Sequence, residues 1–136
     1  MTEVAIEPFS AAHLDGLIAL MEAEGWDTYT DDVQRTGRAL TAPGSTTLVA
    51  LAGGRAVGAI QIQSDGQIQA HLSLLLVDPS MRGAGLGSRL LREGLERAGG
   101  IQLDIRTRTE GYYERLGATR SLGFRLGRAD LGLDNA

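Results

Sequence analysis

The 136-residue chain has no cysteine, so neither a disulfide framework nor a thiolate metal site is open to it. It has no lysine either, because all 13 basic residues are arginine. A nucleotide loop of the Gly-x-x-x-x-Gly-Lys-Ser/Thr type is thereby excluded. Histidine occurs twice, as His13 and His71, with no chelating spacing, and no metal is expected. The formal net charge is −4, which argues against nucleic acid as the main partner. No apolar run approaches the length of a membrane span, so no membrane partner is expected. The start, MTEVAIEPF, has neither a basic segment nor a long apolar one, so no signal peptide is expected and a cytoplasmic location is the default. The length fits one domain of modest size, enough to bury a core without staples.

What is present is concentrated in LLLVDPSMRGAGLGSRLL, Leu74 to Leu91. An apolar run ends at Asp78-Pro79, Arg82 and three glycines follow, and Leu86, Leu90 and Leu91 then start a helical pattern. A strand therefore feeds a glycine-rich turn that opens a helix. Such a turn directs backbone N–H groups outward, and the helix start adds a partial positive charge. Glycine lets a ligand approach the backbone closely, and Arg82 adds a permanent charge. The chemistry this suits is binding a diphosphate. The dinucleotide fingerprint Gly-x-Gly-x-x-Gly does not fit the spacing Gly83, Gly85, Gly87.

Elsewhere, Val4–Glu7 reads as a first strand. Ser10 would cap a helix from Ala11 to about Glu24, with Leu14, Leu17, Ile18 and Met21 on one face. A second helix is expected over about Asp32 to Leu40, with His13 on a solvated face of the first. Three strands joined by hairpin turns follow, Thr46–Leu51, Ala56–Gln63 and Gln67–Val77. Then come the helix Leu86–Arg97, a half-buried strand Ile101–Ile105, a short helix Gly111–Leu116 and a last strand around Ser121–Leu126. The fold class is α/β, a mixed and mostly antiparallel sheet flanked by helices.

The pattern Arg-x-x-Gly-x-Gly preceded by Val-x-Pro is met by Val77, Pro79, Arg82, Gly85 and Gly87. In this the chain resembles the GNAT superfamily of N-acetyltransferases, which hold the pyrophosphate of acetyl-CoA in such a loop. The resemblance is specific from about Leu74 to Ala118 and only architectural before that. It implies a single GNAT-like domain over residues 1–136 that uses acetyl-CoA as co-substrate. Backbone groups at Leu75, Leu76 and Val77 would pair with the pantetheine arm like an added strand, with an N–H near Leu76 or Val77 on the thioester oxygen. Amides of Gly83, Ala84, Gly85, Leu86, Gly87 and Ser88 would take the diphosphate with Arg82. GYYERLGA looks like the family's Phe-Tyr-x-x-x-Gly-Phe signature, which makes Tyr113 the acid for the leaving thiolate. Thr109 stands where the family often has an asparagine on the pantetheine arm. Ala118 replaces the signature's last phenylalanine, and the segment from Thr109 to Tyr113 is about one helical turn shorter than usual.

The strand AHLSLLLV places His71 and Ser73 where arylalkylamine N-acetyltransferases carry histidines. Strand alternation puts residues 71, 73, 75 and 77 on one face, so His71 and Ser73 would line the same cleft. His71 is the candidate base, directly or through a water. The alternative is a hydrogen-bonded structural histidine. Around Trp26 and Tyr29 stand Glu22, Glu24, Asp27, Asp31 and Asp32, a loop that would attract a cationic amine by charge and cation–π contact.

The function expected is transfer of an acetyl group from CoA straight to a primary amine, small and cationic or aromatic. With neither cysteine nor lysine, the chain has no thiol to carry the acetyl group and no lysine side chain to acetylate on itself. Two other readings stay open: a non-catalytic acyl-CoA-binding regulatory module, and an acetyltransferase for a protein or peptide. Small members of the family often dimerise, so a homodimer joins the expected partners.

Overall fold

The computed structural model describes residues 3–134, so the outermost positions of the expected 1–136 domain lie outside the described residues. The chain divides into two compact units, one ending at Ile105 and the other beginning at Arg106.

The first unit is a five-stranded sheet in the order β1-β2-β3-β4-β5. Its strands are β1 (Val4–Pro8), β2 (Ser45–Ala52), β3 (Arg55–Ser64), β4 (Gln69–Val77) and β5 (Gln102–Ile105). The first four run antiparallel to their neighbours, and β5 runs parallel to β4. A parallel neighbour needs a crossover, which α4 (Leu86–Ala98) supplies. Between β1 and β2 lie α1 (Leu14–Glu24), α2 (Asp27–Thr30) and α3 (Val33–Leu40).

Each face of the sheet carries its own helices. Leu17, Ile18 and Met21 of α1 and Leu40 of α3 cluster with Val49, Ala59, Leu74 and Leu76 on one face. On the other, α4 comes so close that a Cβ on Gly94 would lie 3.1 Å from Ile62 and 3.2 Å from Ile60. Gln61, 3% exposed, sits on the α1–α3 face and donates to the Ala39 carbonyl at 2.9 Å and to Ser45 Oγ at 3.1 Å. A buried amide that keeps its partners avoids the penalty of an unpaired polar group.

Three local expectations change. The first helix does not start at Ala11: Ala11–His13 form a 3-10 turn, and α1 follows from Leu14. His13 is half-buried rather than solvated, accepting from the Ser10 N–H at 2.9 Å and lying 3.3 Å from Glu7. The loop after α1 contains the extra short helix α2, and Asp32 is the cap of α3, accepting from the Arg35 N–H at 3.0 Å.

The second unit holds α5 (Tyr112–Arg115) and a 3-10 turn, Arg128–Leu131. The strand expected around Ser121–Leu126 does not form, and residues 118–127 have neither helix nor strand. The alternation of Leu122, Phe124 and Leu126 writes a strand, but a strand exists only where a neighbour takes its backbone hydrogen bonds. No strand among the described residues pairs with it, and Leu122 and Phe124 are 85% and 84% exposed.

Candidate active site

The decisive geometry is in β4. Its pairing with β5 covers Gln69–Leu72 against Gln102–Ile105 and ends there. Its pairing with β3 continues to Val77. From Ser73 onward, β4 is therefore the edge of the sheet on that side. Asp78 donates its N–H to the Val57 carbonyl of β3 at 2.8 Å. By strand alternation, Leu76 and Leu74 also turn their N–H and C=O groups to β3, and Leu75 and Val77 turn theirs to the open edge. The expected edge trio is thus divided: Leu75 and Val77 present backbone groups outward, while those of Leu76 are directed to β3.

The register slips by one residue where Gln61 faces Leu74 and Ile62 faces Leu72. Ser73 is the extra residue of this β-bulge, which reverses the alternation behind it. The expectation that residues 71, 73, 75 and 77 share a face is overturned for this reason. His71 pairs with Gln63, and Ser73 Oγ accepts from Gln63 Nε2 at 2.6 Å, so both lie on the α1–α3 side. Leu75 pairs with Ile60 and Val77 with Gly58, on the α4 side. His71 and Ser73 still lie on the same side of the sheet.

Beyond β4, Asp78 caps a 3-10 turn, Pro79–Met81, accepting from the Ser80 N–H at 2.9 Å and its hydroxyl at 2.8 Å. These bonds, the backbone one first, and Arg55 nearby hold the Asp78 carboxyl below its ordinary range. Gly83 and Gly85 both take φ +84°, a conformation side chains disfavour, and a Cβ on either would meet nothing within 4 Å. Gly85 is the cap of α4 and has no side chain to close over the first N–H groups of the helix. Arg89 donates its N–H to the Gly85 carbonyl at 3.0 Å, and Leu86, Gly87 and Ser88 make up the first turn of the helix. Arg82 sits at the mouth of this loop, donating from Nε to the Val77 carbonyl at 3.1 Å and from a terminal nitrogen to Glu24 at 2.5 Å. That ion pair escaped the sequence reading because its partners are 58 positions apart and no local pattern links them.

Trp26 caps the start of α2 and Tyr29 lies within it, their rings 6.0 Å apart, and both pack against the core that α1 helps to form. The Tyr29 carbonyl accepts from the Thr36 hydroxyl at 2.6 Å. In the second unit, Tyr113 is half-buried on α5 and meets Tyr112 edge-to-face at 5.0 Å. Burial, and then the neighbouring Tyr112, raise the Tyr113 phenol above its ordinary value, so it stays protonated well past neutrality. Thr109 is exposed, and its N–H donates to Thr107 Oγ1 at 2.9 Å.

A strand with one free edge, running into an uncapped helix start through two left-handed glycines, is built for an extended ligand that ends in a diphosphate. Residues 9–118 match the acetyltransferase (GNAT) family model. The chain belongs to this family. As a GNAT protein it is an acetyltransferase, and the family draws its acetyl group from acetyl-CoA. Among solved structures, it resembles a GNAT-family acetyltransferase from Streptococcus pneumoniae TIGR4, with a TM-score of 0.73 and 25% identity over 94% of this chain and 99% of that one. An aminoglycoside acetyltransferase from an uncultured soil metagenomic sample aligns at TM-score 0.70 and 19% identity, covering 92% of this chain and 98% of that one. A ribosomal-protein-alanine N-acetyltransferase from Brucella melitensis biovar Abortus 2308 aligns at 0.72 and 17%, covering 92% and 98%. No curated protein matches the GNAT chain in sequence. Among the described residues, no helix is long and apolar enough to cross a membrane, and no three acidic, histidine or cysteine side chains gather where they would hold a metal ion.

Proposed function

We propose that the protein transfers an acetyl group from acetyl-CoA directly to the primary amine of a small cationic molecule. The observation that carries this reading is the fork in the sheet, where β4 leaves β5 at Leu72 and runs on, with one edge open, into the glycine loop. The amides of the loop and of the first turn of α4 take the diphosphate, with Arg82 turning from Glu24 to add its charge. The pantetheine arm lies along the backbone of Leu75 and Val77. From Ser73 to Val77 the open edge measures about 13 Å at the usual rise of a strand. An arm entering from the loop therefore ends near the bulge, on the strand that carries His71 and Ser73.

His71 takes one proton from the acceptor's ammonium, and the nitrogen lone pair attacks the thioester carbon. A backbone N–H of the open edge steadies the charge that grows on the thioester oxygen. The carbon–sulfur bond breaks toward sulfur. Tyr113, in the role its motif implies, protonates the thiolate and recovers a proton from the acetylated nitrogen. His71 returns its proton to water, so the products are the N-acetyl compound, CoA thiol and one proton. Gln63 supports this by holding the Ser73 hydroxyl beside His71.

The test is thiol release from acetyl-CoA across arylalkylamines, polyamines, amino acids, aminoglycosides and short peptides. The chain has no cysteine and adds no background to a thiol reagent. Release that depends on one amine class supports the reading and names the class. Tight acetyl-CoA binding with no release on any amine overturns it in favour of a regulatory module.

A further inference from the structure

At the fork, three neighbouring strands each contribute one polar side chain to the same face. Gln63 of β3 pairs with His71 of β4, and His71 pairs with Asp104 of β5. Directly opposed residues of neighbouring strands point to the same side of the sheet. The three thus form a row across it, and all three are exposed. They floor a shallow depression rimmed by Pro43 and Gly44 from the turn after α3, by Ser64 at the end of β3 and by Asp65 just beyond it.

The groups in this depression are not equivalent. Asp65 is spent on its own turn, accepting from the N–H groups of Gln67 and Ile68 at 2.7 Å and of Gln69 at 3.2 Å. Those bonds hold its carboxyl below the ordinary range. Gln63 uses its amide nitrogen on Ser73, which leaves its carbonyl oxygen as an acceptor. Among the described residues, neither His71 nor Asp104 has a hydrogen-bond or ion-pair partner. One unpaired carboxylate therefore stands beside the candidate base, with a spare carbonyl oxygen on the other side. No tryptophan, tyrosine or phenylalanine lines the depression.

We propose that this depression is the acceptor subsite, in which Asp104 receives the ammonium group of the acceptor and Gln63 accepts from a second donor on the same molecule. The inference rests on the acetyl-transfer reading and sharpens it. The acceptor is a cationic amine with a further hydroxyl or amino donor nearby, an amino alcohol, diamine or amino sugar, and not an arylalkylamine. The carboxylate concentrates the ammonium form beside His71, which removes the proton. Asp104 binds and positions, and the proton goes to the imidazole. The rim of Gly44 and Ser64 carries no bulk that would exclude a hydroxylated substituent.

The test separates binding from turnover. With only two histidines in the chain, the His71 imidazole resonances are assignable by difference from His13. Ethanolamine, putrescine, glucosamine and phenethylamine are titrated into the protein and into Asp104→Asn and Gln63→Ala, with and without acetyl-CoA. The expected result is that the first three shift the His71 signals at lower concentration than phenethylamine does. Asp104→Asn raises the concentration needed roughly 10- to 100-fold, the range of a charge-assisted hydrogen bond, and leaves acetyl-CoA binding unchanged. In turnover the same variant raises the acceptor KM by the same factor with kcat nearly kept. Unaltered binding in Asp104→Asn overturns the assignment, as does a preference for phenethylamine. Thiol release is scored separately, so an inactive protein that still binds diamines through Asp104 overturns the acetyl-transfer reading and keeps the subsite.

Discussion

The two halves of β4 are made of the same kind of residues and do different work. Gln69–Leu72 are paired on both sides, so their backbone is consumed and only side chains such as His71 remain to act. Leu75–Val77 are paired on one side only, and there the side chains pack while the backbone groups of Leu75 and the N–H of Val77 face the open edge. One strand therefore supplies side-chain chemistry at one end and main-chain recognition at the other. The bulge at Ser73 stands at the join.

Substitutions that treat the halves differently test this division. In the paired half, His71→Gln removes the proposed base and should lower kcat about 10²- to 10⁴-fold, the usual yield of general base catalysis, with acetyl-CoA affinity unchanged in calorimetry. A loss of affinity instead would mean that the two halves share one task. In the open half, Val77→Pro deletes an N–H that no strand uses and should cost about 10- to 100-fold in kcat/KM, near the lower end of the cost of an oxyanion donor. Leu76→Pro deletes an N–H directed to β3 and should destabilise the fold by about 3 kcal/mol or more. Equal melting temperatures for these two variants would break the comparison.

A smaller effect is expected at Gly58, opposite Val77. A Cβ there would lie 2.8 Å from the Leu76 carbonyl oxygen, so the β4 backbone itself must yield. Gly58→Ala should cost about 1–3 kcal/mol and weaken acetyl-CoA binding more than amine binding, as ligand titrations against the melting temperature would reveal. The smallest effect is with pH. Asp65 and Asp78, which close the turns at the two ends of β4, have carboxyl pKa values held down by hydrogen bonds to their ionised forms. Their contribution is complete above the ordinary carboxylate pKa and is lost as pH falls through the depressed values. A melting temperature that declines only in that acidic window, with Asp65→Asn flattening the decline, is the expected outcome.

Much of this was legible in the chain. The glycine loop, the helix after it and all five strands follow from short-range patterns, since turns, caps and alternation involve neighbours in sequence. Helical spacing also marked Leu17, Ile18 and Met21 as one apolar face, and all three are in the core. The bulge was not legible, because nothing in AHLSLLLV marks Ser73 as the extra residue; only the register against β3 does. The edge character of Val77 was expected only through the family resemblance, since no local pattern shows where β5 stops. Asp104 was passed over because one acid in an alternating strand reads as solvated, and its meaning comes from the neighbour across the sheet. Segment 121–126 misled in the opposite way, carrying the pattern of a strand with no partner to complete it.

The extra residue at Ser73 works like a single inserted letter in a reading frame. Every position of β4 after it is in the opposite phase, so removal of Ser73 would rotate Leu74 to Val77 as a block. The backbone groups now turned to β3 would be moved to the open side, and the two side-chain sets would exchange helices. A grafted or recombined version of this enzyme must therefore inherit Ser73 together with the residues after it. A relative that lacks the extra residue could match Leu74 to Val77 letter for letter and still present the opposite surfaces.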